Sequence, residues 1–170
     1  NAAYITKARV QLLRDMGATP APMNAFLLNL GLESLHVRMR QHYENGLAVA
    51  KYLQSDDRIA WVTYPGLEGD KYYELGKKYL PNGMGGMMSF GVKGGSEKAA
   101  EFMENLKMLK IVTHVADARS CVLHPASTTH RQLSKADLEA IGIADNLIRL
   151  SVGIENAEDI IADIEQALSN

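Results

Sequence analysis

From Met23 to Gln54 the sequence carries Leu28, Leu32, Leu35, Met39, Tyr43, Leu47, Ala50 and Leu53 at steps of three and four. That spacing lays one apolar stripe along an α-helix. At 1.5 Å per residue the helix would run to roughly 45 Å, longer than the core of a domain this size. A helix of that length usually braces two domains. A chain of 170 residues with 46% hydrophobic content holds one proper core. Gly46 inside the stripe costs about 1 kcal/mol relative to alanine, so it marks either a bend or a close packing contact. The chain also starts at Asn1, without a methionine and inside a helical pattern. It is expected to be a piece of something larger.

Ahead of the long helix, Ile5, Val10 and Leu13 predict a helix over residues 2–15, with Gly17 as its stop. Thr19-Pro20-Ala21-Pro22 is a stiff, extended connector. Beyond Gln54 the pattern shortens into strands, over residues 59–64, 87–92, 111–113, 121–124 and 147–152, separated by helical segments. A surface helix is expected over 71–80 and an amphipathic one over 96–106, capped by Ser96. Ser134 caps a short helix over 136–140, and Asn156 opens the last one. From that last helix Ala157, Ile160, Ile161, Ile164 and Leu168 face inward. The expected class is α/β, or α+β-like: a small sheet of about four strands with helices mainly on one face.

The strand Leu147–Val152 carries one arginine, Arg149, with no acidic neighbour on the strand. A buried guanidinium must find an anion, because an unpaired buried charge costs several kcal/mol or more. Two readings stay open. Arg149 points to water on an edge strand, or it presents a fork to a planar anion such as a carboxylate. The net charge of −2 gives no electrostatic case for nucleic acid or an anionic membrane as partner. No apolar run approaches the roughly 18–20 residues that span a bilayer, and the first residues form neither a signal nor a transit peptide. One cysteine, Cys121, excludes an internal disulfide and a CxxC metal site and suits a reducing compartment, the cytoplasm.

Other polar clusters are weighed against plainer roles. His114, His124 and His130 are separated by strand and proline breaks, which argues against a shared metal, and none is expected. His124, before Pro125, reads as packed and hydrogen-bonded. Cys121 among Val122 and Leu123 reads as a small buried side chain rather than a nucleophile. Asp117 and Arg119 either pair with each other or anchor their loop. Pro81 to Gly86 is glycine-rich, yet a strand follows it where a phosphate loop needs a helix with Lys-Ser or Lys-Thr. Ser127, Thr128, Thr129 and His130 supply four polar groups in succession, more than a turn requires, and are candidates to face a ligand.

Taken together, several stretches resemble one family. They are Gly17-Ala18-Thr19-Pro20-Ala21-Pro22 running into Gly31-Leu32-Glu33-Ser34-Leu35, Arg38-Met39-Arg40-Gln41-His42, and Tyr64-Pro65-Gly66-Leu67. Gly85-Gly86-Met87-Met88-Ser89-Phe90, His124-Pro125-Ala126-Ser127-Thr128-Thr129-His130 and Arg149-Leu150-Ser151-Val152-Gly153 complete the set. In order and spacing they are similar to the carboxy-terminal part of the pyridoxal-phosphate enzymes of cysteine and methionine metabolism, most of all the O-acetylhomoserine sulfhydrylases. The resemblance implies a homotetrameric transferase of the aspartate-aminotransferase fold. It would take O-acetylhomoserine and sulfide to homocysteine and acetate, with pyridoxal phosphate as cofactor.

On that likeness Arg149 grips the substrate α-carboxylate, and Ser127, Thr128, Thr129 and His130 border the pocket. His114 stands where relatives have a serine or asparagine that helps the grip, and Ala116 replaces a frequent glycine. The family's Schiff-base lysine sits in a Ser-x-Thr-Lys motif that this sequence lacks. The cofactor's other contacts would also lie upstream, so this stretch alone is expected to be inactive. Residues 1–22 would then end the cofactor-binding domain, 23–54 form the bridging helix and 55–170 the substrate-binding domain. Within the family a cystathionine synthase or lyase is the alternative. Outside it, the alternative is a small stand-alone module that holds an amino acid or other carboxylate without catalysis.

Overall fold

The computed structural model describes residues 2–169 and divides the chain into two compact units, 1–36 and 37–170. In the first unit, helix α1 (Ala3–Lys7) continues through a π-helical stretch (Ala8–Leu13) into α2 (Arg14–Met16). Gly17 stops it as expected, in the left-handed conformation at φ 65°. Helix α3 (Pro22–Glu33) opens with Pro22 in its first turn, where the missing N–H costs nothing. The single helix expected over residues 23–54 is divided: α3 ends at Glu33, Ser34 has ψ 4°, and α4 runs Leu35–Ser55. Gly31 and Ser34 are the weak points, since both residue types disfavour a helix interior, and a stripe of apolar spacing does not register them.

Helix α3 is apolar on every side, and Met23, Phe26, Leu27, Leu28, Leu30 and Leu32 are all exposed, Leu28 at 65%. A helix of that composition belongs in a core or an interface. The isolated chain is therefore expected to self-associate and to bind an apolar dye. Light scattering with dye fluorescence checks this, and a dye-silent monomer at high concentration would count against it.

The second unit is built on a five-stranded sheet: all five strand segments read from the sequence join it, where a sheet of about four was expected. Its strands are β1 (Ile59–Thr63), β2 (Met87–Val92), β3 (Lys110–Ile111), β4 (Cys121–Leu123) and β5 (Leu147–Ser151), in the order β1-β2-β5-β4-β3. Only β3 and β4 run parallel. Alternation sends Met88, Phe90, Val92, Val122, Ile148, Leu150 and Val152 into one core. There they meet Val49, Ala50 and Leu53 of α4, with Ala99, Phe102 and Met103 of α6 (Gly95–Asn105). Ile160, Ile164 and Ala167 of α8 (Ala157–Leu168) join the same core. Phe90 and Phe102 pack edge to face with centroids 5.8 Å apart.

Two shorter helices, α5 (Tyr73–Tyr79) and α7 (Lys135–Ala140), lie in the connections. Ser134 caps α7 in a reciprocal box with Asp137, and Asn156 caps α8 through the Glu158 N–H. Ser96 does not cap α6. The chain enters that helix through Gly94 and Gly95, both at positive φ, which puts Ser96 inside the first turn.

Helix α4 is fastened to the far end of β5 by polar side chains. His42 Nδ1 donates to the Val152 carbonyl at 2.7 Å, and Asn45 Nδ2 donates to the carbonyls of Gly153 and Glu155 at 3.0 and 2.7 Å. Gly46 on the same face is a close packing contact: a Cβ there would stand 3.0 Å from the Gly85 carbonyl oxygen and 3.1 Å from Gly86 Cα. The glycine-rich stretch 81–86 thus lets the backbone approach α4.

Candidate functional site

Strand β5 carries Arg149 and Ser151 on the face opposite the core, two residues apart and so side by side. Arg149 is flanked by Ser89 of β2 and Leu123 of β4, and Ser151 by Met87 and Cys121. Two polar connections meet this strip. Residues 112–120 lead into β4 beside Ser151, and residues 124–133 leave it beside Arg149.

Arg149 is half-buried, and its Nη2 donates to the Thr113 carbonyl at 3.0 Å. Among the described residues no carboxylate pairs with it. A guanidinium has five N–H donors in a planar fork, so most of its capacity stays available to a planar anion. The Ser151 hydroxyl accepts from the Ala116 N–H at 3.1 Å. Neither Thr113 nor Ser151 stands out in the sequence as a site residue. The period of two along β5 is the signal that could have raised Ser151, while a backbone carbonyl leaves no trace in residue type.

Ala116 is the one non-glycine residue at positive φ among the described residues, at 56°. The left-handed region costs an L-residue roughly 1–2 kcal/mol, which fits the glycine that relatives were expected to have there. Ala116→Gly should therefore stabilise the chain by about 0.5–1 kcal/mol, read as a rise in the midpoint of denaturant unfolding. No rise would mean that the turn is unstrained.

His114 is exposed on the same loop, close enough to Asp117 to favour its ionised form. Asp117 is held at about 2 chiefly by the side-chain hydrogen bonds of Arg119, then by the Arg119 backbone N–H, so the two residues pair within the loop. Burial pushes the Cys121 thiol above its usual range, which leaves it a poor nucleophile in keeping with a packing role.

In the connection after β4, His124 is buried and fixed at both nitrogens. Nε2 donates to the Asp145 carbonyl at 2.7 Å, which leaves Nδ1 to accept from Ser127 Oγ at 2.8 Å. Thr128 Oγ1 donates to the His124 carbonyl at 2.6 Å, and Thr129 Oγ1 lies 2.9 Å from His130 Nδ1. Ser127 and Thr128 thus brace the loop around His124, while Thr129 is exposed and His130 half-buried. The histidines do not converge: among the described residues no group of three His, Cys, Asp or Glu side chains is placed to hold a metal ion.

Behind the strip, the turn after β5 is locked. The Ser120 N–H and hydroxyl both donate to the Glu155 carboxylate, at 2.6 and 2.9 Å, and Gly153 N–H donates to Ser120 Oγ at 2.8 Å. A Cβ at Gly153 would stand 2.5 Å from the Ala118 carbonyl oxygen and 2.6 Å from Ser120 N, so only glycine fits.

A mixed sheet with helices packed on one face and an arginine between two polar connections on the other makes an α/β domain, and its superposition on a solved pyridoxal-phosphate enzyme gives it the aspartate-aminotransferase-like fold. The chain belongs to the Cys/Met metabolism PLP-dependent enzymes, whose family model matches residues 1–169. It is 46% identical over its whole length to the O-acetyl-L-homoserine sulfhydrylase of Leptospira meyeri, covering 39% of that protein. It is 45% identical to the homocysteine synthase of Schizosaccharomyces pombe over 99% of the chain and 39% of the relative. Identity to the cystathionine gamma-lyase of Bos taurus is 41% over 92% of the chain and 38% of that enzyme. A Campylobacter jejuni crystal structure, provisionally named an O-acetylhomoserine (thiol)-lyase, superposes with a TM-score of 0.89 at 41% identity. The match covers 96% of this chain and 39% of that one, which contains a pyridoxyl-lysine monophosphate. The chain therefore spans about 39% of the length of these relatives.

The strip around Arg149 does not fit the covalent attachment of pyridoxal phosphate. Its strand neighbours and both connections contain no lysine over residues 112–134 or 147–153. They offer a cation, hydroxyls and backbone groups suited to a carboxylate.

Proposed function

We infer that this chain is the carboxy-terminal portion of a pyridoxal-phosphate-dependent O-acetylhomoserine sulfhydrylase, which adds sulfide to O-acetylhomoserine and releases homocysteine and acetate. The observation that carries the reading is Arg149: a half-buried arginine on β5 with no carboxylate partner among the described residues. It stands in a chain 46% identical to a sulfhydrylase. Arg149 grips the substrate α-carboxylate and orients the reacting carbon, with His114, Thr129 and His130 at the pocket margin. Ser127 and Thr128 border it by shaping the loop. Residues 1–22 end the cofactor-binding domain, 23–54 bridge the two domains, and 55–170 form the substrate domain. Pyridoxal phosphate, held upstream, supplies the electron sink, and the isolated chain is inactive. The parent works as a cytoplasmic homotetramer. No helix among the described residues is long and apolar enough to cross a membrane.

The test uses the full-length polypeptide with O-acetylhomoserine and sulfide, following homocysteine and acetate by mass spectrometry. Turnover of cystathionine in preference to sulfide addition would move the chain to the lyase branch, which its 41% identity to the bovine enzyme supports as the second reading. Carboxylate binding by the 170-residue chain alone, with no longer parent, would favour the stand-alone module.

A further inference from the structure

We propose that Ser151 is a positioning residue for the carboxylate grip, acting through the Thr113–Ala116 loop on the Arg149 guanidinium. The inference rests on the reading of Arg149 given above. After Val112 N–H bonds to the Val122 carbonyl, the chain leaves the sheet, and it returns where the Ala118 carbonyl accepts from Ile154 N–H. Between those points residues 113–116 are exposed. Two neighbouring side chains of β5 join this span to the sheet: Arg149 Nη2 donates to the Thr113 carbonyl, and Ser151 Oγ accepts from the Ala116 N–H.

The two contacts differ in kind. Ser151 is 2% exposed, between β2 and β4, so its hydroxyl is a fixed point. Arg149 is a long side chain whose aim depends on the carbonyl it leans on. The Ser151 contact also holds Ala116 at φ 56°, a conformation that persists only where the surroundings impose it. Losing that hydroxyl frees the loop to relax out of the left-handed turn. Thr113 would then carry its carbonyl away from the position that sets the Arg149 fork. The Arg149 charge remains, but its two-point geometry towards a carboxylate does not.

Kinetics of the full-length holoenzyme test this. Ser151→Ala should raise KM for O-acetylhomoserine about tenfold, the size expected for one lost positioning hydrogen bond, with kcat changed less than about twofold. The preference for O-acetylhomoserine over 3-aminopropyl acetate, the same molecule without its carboxylate, should shrink by a similar factor, which general loosening of the fold would not cause. In an Arg149→Ala background Ser151→Ala should add less than about twofold. If Ser151→Ala does not fold, an amide-to-ester replacement at residue 116 deletes the donor instead and should raise KM in the same way. An unchanged KM, an unchanged preference, or a full additive loss in the Arg149→Ala background overturns the tether while leaving the Arg149 reading intact. A kcat/KM within about threefold of the unmodified enzyme in Arg149→Ala alone overturns both.

Discussion

Arg149→Ala in the full-length polypeptide should lower kcat/KM for O-acetylhomoserine by about 2–5 kcal/mol, or roughly 30-fold to several-thousand-fold. The size follows from a fork of charge-assisted hydrogen bonds to a carboxylate in a partly desolvated site. Lysine keeps the charge and loses the fork, so Arg149→Lys should recover only part of the loss. The loss should fall mainly on kcat/KM, because one grip holds both ground and transition states and also orients the reacting carbon. Cofactor binding should stay normal, since Arg149 has no lysine or other attachment point beside it. Absorbance of the bound cofactor and steady-state kinetics with sulfide decide the matter. A normal spectrum with kcat/KM within about threefold, roughly 0.65 kcal/mol, would make Arg149 a solvated strand residue.

Asp163→Ala should destabilise the second unit by about 3–5 kcal/mol, although Asp163 is far from any chemistry in the sequence. It sits on α8 at 7% exposure, and its carboxylate accepts the backbone N–H groups of Lys107, Met108 and Leu109, each at 2.9 Å. Those three donors lie in the bend between α6 and β3, so one side chain ties the last helix to the approach of the edge strand. Alanine leaves them without that acceptor, at the greatest cost for the buried Leu109 N–H. Asparagine retains one acceptor oxygen and should recover only part of the loss. Denaturant unfolding of the 170-residue chain, followed by Trp61 fluorescence, reads the difference. A midpoint unchanged in Asp163→Ala would mean that the three N–H groups find other partners.

Much of this protein follows from local pattern. Short apolar runs bounded by glycine located β2 and β5 because the core face of a central strand must be filled, and Phe90, Ile148 and Leu150 are fully buried. Ser134 and Asn156 announced helix starts because a cap is a local hydrogen bond, complete within three residues. Arg149 was legible as a candidate because an unpaired charge on an apolar strand needs a reason, and the motif resemblance gave the family. The sequence alone allows Gly46 to be a bend or a contact, and only the packed neighbour, Gly85, decides for the contact.

The sequence could not show where hydrogen bonds close over long separations. Asp163 looks like one more acid on a polar helix face until residues 107–109, more than fifty positions earlier, fold beneath it. Ser127 and Thr128 look free for a ligand until His124 turns back between them, and Ser151 looks like filler until Ala116 docks on it. Residue type and spacing set what each segment can bury and where a helix can start. Which polar group meets which is fixed only when the sheet brings β4 and β5 together, because a hydrogen bond forms over a few ångströms of space and carries no record of distance along the chain.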